Sequence, residues 1–162
     1  MKIEIERKFL LKSLPEQKPI EIIKVRQWYL KIDGIWERAR LMDSSIGTKR
    51  WVHTVKKKIS YMSSEEHERE ITKKEFNQFV KRCRTIGENS RFIAKERHIY
   101  THGSLKWEVD LFRQKCHIII AEVEIPSEDY VLQIPEFIER KNLMEVTGMK
   151  QFSNKSLSTR IR

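Results

Sequence analysis

The feature that most constrains this chain is the recurrence of like-charged residues two positions apart, within stretches that alternate between polar and apolar residues. Successive side chains of a β-strand point to opposite faces, so residues two apart share a face. Seven segments carry such sets: Glu4/Glu6 with Lys8, Arg38/Arg40, Lys56/Lys58, Glu66/Glu68/Glu70, Lys95/Arg97, Glu108/Asp110 and Glu122/Glu124. The intervening positions are mostly apolar, as at Ile3, Ile5 and Phe9. The pattern predicts a sheet with one ionic and one apolar face.

The same alternation sets the number and order of the strands. It predicts eight strands, near 2–10, 24–32, 35–42, 49–57, 65–71, 92–100, 104–112 and 117–125. Asp33-Gly34 and His102-Gly103 lie between consecutive strands and predict two tight hairpins. Connections this short join antiparallel neighbours.

Helical periodicity is strongest over 73–86, where Phe76, Phe79 and Cys83 fall on one stripe. Thr72 followed by Glu75 predicts a capping box, and Gly87 predicts the end of the helix. Further helices are expected from Ser127, over 135–144, and as a last turn after Ser153 or Asn154. The sequence thus predicts mixed α and β structure.

The sign of the charge is segregated by strand. An ordinary antiparallel sheet with a solvated ionic face would explain any one strand, but it gives like charges no reason to lie side by side. Rows of carboxylates suit Mg²⁺ or Mn²⁺, and rows of Lys and Arg suit phosphate oxygens. Together they indicate a metal-bound polyphosphate. If the strands close into a barrel, these faces point inward around one small ligand.

Composition narrows the classes of partner. The net charge of +10 favours anionic ligands. Nucleic acid stays open but is not favoured, because the bases are spread among acids and no zinc-finger, basic-zipper or RNP-type signature occurs. No apolar segment is long enough to span a membrane, so we expect no membrane partner and a cytoplasmic location. The oligomeric state is left open, with a dimer among the options.

Other chemistries lack their motifs. Cys83 and Cys116 are too few for a disulfide framework and lack the spacing of a zinc site, so both are expected to be reduced and structural. No Walker-type loop and no Gly-x-Ser-x-Gly sequence occurs, so phosphates would be held by side chains. The five histidines show no metal-binding arrangement.

The order of these motifs resembles that of the triphosphate tunnel metalloenzymes, or CYTH superfamily, over essentially the whole chain. The hallmark Glu-x-Glu-x-Lys is present as Glu4-Ile5-Glu6-Arg7-Lys8. The later motifs follow in order as Arg38-Ala39-Arg40, Thr54-Val55-Lys56, Glu66-His67-Glu68, Lys95-Glu96-Arg97, Glu108-Val109-Asp110, Glu122-Val123-Glu124, Glu145-Val146-Thr147 and Ser153-Asn154. Ser64, Met149 and Phe152 depart from the family pattern, at the substrate end of the site and in the C-terminal segment.

The resemblance implies an α+β fold in which an eight-stranded antiparallel β-barrel closes into a tunnel, with a polar interior and helices outside, formed by a single domain over 1–162. It also implies that bases grip a triphosphate and that glutamates hold Mg²⁺ or Mn²⁺. The implied triphosphate ligands are Lys8, Arg38, Arg40, Lys56, Lys95, Arg97 and Lys150. The implied metal ligands are Glu4, Glu6, Glu122 and Glu124, and the implied catalytic set is Glu4, Glu6, Lys8, Glu66, Glu68 and Asp110.

The function expected from this resemblance is metal-dependent hydrolysis of inorganic tripolyphosphate or of a small organic triphosphate. Two alternatives remain at this stage. One is a class IV-type adenylyl cyclase, in which the ribose 3′-hydroxyl replaces water as the nucleophile. The other is a non-catalytic module that binds polyphosphate or the 5′-triphosphate of RNA.

Overall fold

The structure, a computed structural model, describes residues 1–115 and 117–161, so Cys116 lies outside the described residues. The strands are β1 Lys2–Leu11, β2 Glu21–Ile32, β3 Ile35–Ser44, β4 Lys49–Lys58, β5 Ser63–Glu70, β6 Ser90–His102, β7 Leu105–Phe112, β8 Ile119–Glu124, β9 Leu143–Glu145 and β10 Thr159–Arg160. The helices are α1 Lys73–Ile86 and α2 Asn154–Leu157, with 3-10 turns at Arg140–Asn142 and Lys150–Phe152. All eight predicted strands are confirmed, with shifts only at their ends.

Strands β1 to β8 close into a barrel. Their order around it is β6, β2, β3, β4, β5, β1, β8 and β7, and β7 pairs back to β6. Every pairing is antiparallel, and the short strands β9 and β10 add to β1 and β6. Closure leaves each barrel strand one inward and one outward face, which confirms the predicted closed antiparallel tunnel.

Both predicted hairpins are present. Asp33 and Gly34 connect β2 to β3 with φ of 49° and 81°, and this pair of left-handed residues matches the twist of the strands. Gly103, with φ of 59°, lies in the turn between β6 and β7. These turns fix the register of the strands that carry Arg38 and Arg97.

Helix α1 covers the outer face of β2, β3 and β4. Its buried Phe76, Phe79 and Cys83 pack against Leu30 and Ala39 on those strands. The capping box is confirmed, because the Thr72 hydroxyl accepts from the Glu75 N–H at 3.1 Å and the Thr72 N–H donates to the Glu75 carboxylate at 2.7 Å. The outer apolar face of this half of the barrel is therefore shielded by a helix, as predicted.

Mostly irregular chain covers the outer face of the other half. Residues Ile134, Phe137 and Ile138 pack on a core that includes Trp107 and Val109. The helices predicted from Ser127 and over 135–144 are wrong: Ser127 opens a turn, and the second stretch holds only the 3-10 turn before β9. The apolar side chains of the second stretch pack on the barrel wall, and its last residues pair with β1 as β9. These tertiary contacts override the local helical pattern.

The C-terminal segment closes one end of the barrel. We call residues 150–157 the plug and the opposite end of the barrel the mouth. Phe152 and Leu157 of the plug pack against an apolar layer that includes Tyr29, Ile93 and Phe112. The predicted last helical turn is confirmed as α2. Neither α-helix in the described chain has the length and apolar character to cross a membrane.

A candidate active site in the charged tunnel

The charged pairs predicted from the sequence line the inside of the barrel. Several ion pairs reach across an intervening strand, which only inward-facing side chains can do. Lys56 on β4 meets Glu4 on β1 at 3.1 Å, and Arg40 on β3 meets Glu68 on β5 at 2.8 Å. The sheet therefore turns its ionic face inward and its apolar face outward.

Carboxylates dominate the wall formed by β1, β8 and β5. The register places Glu6 opposite Glu124 and Lys8 opposite Glu122. The Lys8 ammonium lies 3.4 Å from the buried Glu122 carboxylate. The implied metal ligands thus come from neighbouring strands and share one side of the tunnel.

The Lys56 ammonium lies among three of these acids. Its Nζ is 3.1 Å from Glu4, 3.6 Å from Glu6 and 3.6 Å from Glu66. Burial alone would lower the pKa of Lys56, but these carboxylates outweigh burial and raise it. A cation is therefore strongly favoured at this point of the wall.

The arginines of β3 face the acids of β5 across β4. Arg38 donates to the Thr54 hydroxyl at 3.2 Å, and Thr54 donates to Glu68 at 3.1 Å. The Nε atoms of Arg38 and Arg40 are buried and have no hydrogen-bond partner among the described residues. Burial and the neighbouring Arg38 lower the pKa of Arg40 to about 10, so Arg40 is still charged at neutral pH.

A second group of bases lies on β6. The Lys95 ammonium donates to Asp110 at 2.7 Å and to Asn154 of the plug at 2.8 Å. Arg97 makes a bidentate contact with Asp110, at 2.7 and 2.8 Å, and also meets Glu108. Burial and the nearby Arg97 lower the pKa of Lys95 to about 8.

Strand β2 contributes no charge to the middle of the tunnel. Its inner row is Ile23, Val25, Gln27 and Tyr29, all buried. β2 lies four strands from β1 in either direction around the barrel, so this uncharged row faces the acidic wall. The like-charged pair of β2, Lys24 and Arg26, has the opposite parity and lies exposed on the outer face.

Comparison with known proteins agrees with this geometry. No family model matches the chain. An inorganic triphosphatase of Acetivibrio thermocellus is 28% identical over 156 residues, which cover 95% of this chain and 92% of that protein. The crystal structure of the hypothetical protein NE1496 superimposes with a TM-score of 0.58 at 26% identity, over 98% of this chain and 99% of the other. The chain is similar to these two proteins over nearly its whole length, and its own fold is a closed eight-stranded antiparallel tunnel.

More distant tunnel structures show the same fold. The Hippeastrum protein HpAC1, a putative adenylyl cyclase described as having a dominant triphosphatase activity, matches with a TM-score of 0.53 at 16% identity, over 76% of this chain and 80% of that one. The PH1819 protein of Pyrococcus horikoshii matches with a TM-score of 0.55 at 15% identity, over 78% and 80%. Likeness at these identities supports the tunnel fold alone.

The carboxylates of the tunnel have the donor chemistry of a site for Mg²⁺ or Mn²⁺, which prefer oxygen ligands. Within 1–115 and 117–161, however, no three of the acid, His or Cys side chains form a preassembled metal site. Lys56 and Lys8 lie between the carboxylates instead. A divalent cation would fit here by displacing an ammonium from the acids that now hold it.

The electrostatics of the acidic wall favour added positive charge. Burial, and then the nearby Glu122, raise the pKa of Glu6 to about 7. Burial would raise the pKa of Glu122 as well, but Lys8 and Arg97 outweigh it and hold that pKa well below its usual range. A cation placed beside Glu6 would favour the charged form of this carboxylate.

Two of the predicted residues lie away from the centre. Glu124 is at the mouth, where its half-exposed carboxylate pairs with Lys2 at 3.0 Å, and it lines a hollow of about 320 Å³ together with Glu108 and Lys106. Lys150 is exposed at the start of the plug and forms no ion pair with a described residue. The structure gathers the other predicted residues in the tunnel and leaves Lys150 outside.

Three polar residues of the tunnel were not among the predicted site residues. Thr54 bridges Arg38 and Glu68, and Glu108 pairs with Arg97. Strand parity alone could have placed both, because they are two positions from Lys56 and Asp110. Asn154 holds Lys95, and only the folded position of the plug reveals that contact.

Proposed function

We propose that this tunnel protein hydrolyses a triphosphate, either inorganic tripolyphosphate or a small organic triphosphate, with Mg²⁺ or Mn²⁺. The observation that carries the proposal is the convergence of six bases inside one closed barrel, namely Lys8, Arg38, Arg40, Lys56, Lys95 and Arg97. The relative named inorganic triphosphatase, similar over nearly its full length, supports it.

The arginine donors support an anion as the ligand. A buried N–H without a partner costs free energy, and Arg38 and Arg40 each bury one such group beside a charged tunnel. Guanidinium groups match phosphate oxygens in geometry as well as in charge. Phosphate groups between β3 and β6 would satisfy these donors and lie against the uncharged row of β2.

The number of bases fits a polyphosphate better than a single phosphate. Lys8 extends from the acidic wall and Lys56 reaches that wall from β4. Arg38 and Arg40 extend from one flank, and Lys95 and Arg97 from the other. A chain of three phosphates carries enough charge and enough oxygens to contact all three groups together. The tunnel would therefore align such a chain between its walls.

Metal would bind at Glu4, Glu6, Glu122 and Glu124, as the resemblance implies, with Glu66 close by. A divalent ion there would neutralise charge on the phosphates and polarise the bond to be broken. We propose that phosphate binding and metal binding occur together, because Lys56 and Lys8, when they turn to phosphate, leave Glu4, Glu6 and Glu122 in need of a cation.

The protein residues orient and stabilise the reaction by position. The bases hold the chain so that water attacks the terminal phosphorus in line with the bridging oxygen. The new P–O bond forms as the bridging P–O bond breaks, and the proton of the water passes to a carboxylate of the acidic wall. The opposing bases neutralise the charge that develops on the departing diphosphate.

One assay panel tests this function. Purified protein is incubated with tripolyphosphate, thiamine triphosphate or ATP, each with Mg²⁺, with Mn²⁺ or with EDTA, and phosphate and cyclic AMP are measured. We expect phosphate release from at least one substrate, abolished by EDTA. Cyclic AMP without phosphate release would indicate a cyclase instead. Tight tripolyphosphate binding without release from any substrate would indicate a binding module and would refute hydrolysis.

A further inference from the structure

A second cluster of bases lies at the plugged end of the barrel, at the ends of the inward-facing rows of β2, β3 and β6. The Lys155 ammonium of α2 is 4.9 Å from the centre of the Trp36 ring, and the Lys31 ammonium of β2 is 5.8 Å from the same ring. Lys150 and Arg91 are close enough to act electrostatically on Lys155. We call these four bases, with Trp36, the plug-end cluster.

The cluster is separate from the tunnel bases. Trp36 packs on the apolar layer that holds Leu157, Ile93 and Phe112. This layer lies between the plug-end cluster and the tunnel centre, where Lys95 is bound by Asp110 and Asn154. A ligand at the plug-end cluster would therefore not touch the tunnel phosphates.

Hydrogen bonds and strand register hold the residues of this cluster in place. The Arg91 guanidinium donates to the Lys155 carbonyl at 3.0 Å and to the Ser158 hydroxyl at 2.7 Å, and so fixes α2 against β6. Lys31 lies directly opposite Trp36 in the β2–β3 register. Three different segments thus bring cations to one place.

Among the described residues, no acid pairs with these cations. In residues 1–115 and 117–161, none of Lys31, Arg91, Lys150 and Lys155 forms an ion pair, whereas the six bases in the tunnel all do. Burial first, and then the neighbouring bases, lower the pKa of Lys155. Like charges held together in this way repel one another unless an anion lies between them.

We propose that the plug-end cluster is a second anion site, in which Lys31 and Lys155 bind phosphate groups beside Trp36. Ammonium groups are compact charges with several free donors and suit phosphate oxygens. The ligand class is a phosphate anion, supplied either as free orthophosphate or as the end of a linear polyphosphate chain. Nothing in this binding requires turnover in the tunnel.

A simpler explanation is that Trp36 alone holds the two lysines, through cation–π contacts of the kind that Arg84 makes with Trp28. That explanation predicts no response to phosphate. The indole N–H signal of Trp36 in an NMR spectrum, assigned with a Trp36→Phe variant, separates the two because it reports on this site and not on the tunnel.

The experiment titrates the protein with orthophosphate and, separately, with a long linear polyphosphate while following that signal. We expect a saturable shift, weakened by about tenfold for each lysine removed in Lys31→Gln and Lys155→Gln. A shift with both anions and similar affinity identifies orthophosphate as sufficient, and a shift only with the chain identifies polyphosphate. The control is Lys73→Gln/Lys74→Gln on α1, which removes two exposed lysines elsewhere and should leave the shift unchanged.

Two further variants keep the test decisive. Lys31→Arg/Lys155→Arg preserves charge and packing on Trp36 and should retain binding, which guards against a folding defect in the glutamine variants. Arg38→Gln removes a tunnel base and should leave the Trp36 response intact, whatever its effect on hydrolysis. Absence of a saturable shift with either anion, or an equal loss in the α1 control, would overturn the proposal.

Discussion

The contact between the plug and Lys95 predicts that Asn154 sets the highest pH at which the tunnel binds phosphate. Asn154 Oδ1 accepts from the Lys95 ammonium at 2.8 Å, and the lysine is completely buried among Asp110, Arg97 and Phe112. Replacing Asn154 with Leu keeps a similar volume but removes the acceptor. The protonated form of Lys95 then loses a stabilising partner and the neutral form does not.

The magnitude follows from this hydrogen bond. A hydrogen bond to a charged group contributes about 1.5–3 kcal/mol, and one pKa unit corresponds to about 1.4 kcal/mol, so the pKa of Lys95 should fall by about 1–2 units. Its starting pKa is about 8. The lysine binds phosphate only as an ammonium, so its contribution is lost as pH rises through that pKa. The loss should begin near neutrality in Asn154→Leu, whereas Asn154→Asp adds a negative charge and should shift it to higher pH.

The assay is tripolyphosphate affinity by calorimetry from pH 6 to 10, with kcat/KM measured over the same range. Ser156→Ala is the matched control, because Ser156 is exposed on the same helix and its hydroxyl bonds only to Ser153. If the fall in affinity at high pH occurs at the same pH in Asn154→Leu as in the unmodified protein, the positioning role of Asn154 is refuted. An equal shift in Ser156→Ala would attribute the effect to general loosening of the plug.

Two further predictions concern the acidic wall and the packing of the plug end. Glu122→Gln should reduce turnover by roughly 100-fold while tripolyphosphate binding falls less, because the acidic wall loses a carboxylate that would hold metal and the bases remain. The control is Glu139→Gln, which changes an exposed acid on the outside of the barrel. Equal turnover in the two variants would contradict the assignment of Glu122 as a metal ligand. Gly148→Ala should lower stability by about 1–3 kcal/mol, because its new Cβ would lie 2.8 Å from the Tyr61 carbonyl oxygen. Gly47→Ala shares a positive φ but meets nothing within 4 Å, so a thermal melt showing equal losses would exclude the clash as the cause.

The tunnel could be predicted because its information is local. A strand repeats every two residues, so spacing alone predicts that Arg38 and Arg40 share one face of their strand. The same holds for Glu122 and Glu124, and neither prediction needs information about neighbouring strands. The hairpin residues Asp33 and Gly34 then fix which strands are adjacent. Segregation of sign between strands indicated that the shared face is a binding surface.

The parts that the sequence did not predict depend on contacts between distant segments. Residues after Ser127 have helical spacing, yet they form turns and irregular chain. Their apolar side chains pack on the barrel wall, and β9 pairs with β1. Lys150 was expected in the tunnel, but the plug turns so that Phe152 enters the apolar layer and Lys150 stays outside. The roles of Asn154 and Lys155 likewise follow from where α2 docks, which no periodicity encodes.

The pairing of bases with acids in the tunnel has a consequence for selectivity. Removing one partner from a buried ion pair leaves an uncompensated charge, at a cost of about 3–5 kcal/mol. An anion that drew Arg97 away from Asp110 would leave that buried carboxylate with this cost. Drawing Lys56 away from the partly exposed Glu4 and Glu6 would add a smaller cost, because solvent screens that pair. A single phosphate offers too few contacts in return. A triphosphate that arrives with a divalent cation compensates both sides at once, so the same ion pairs that stabilise the free tunnel also exclude weaker anions from it.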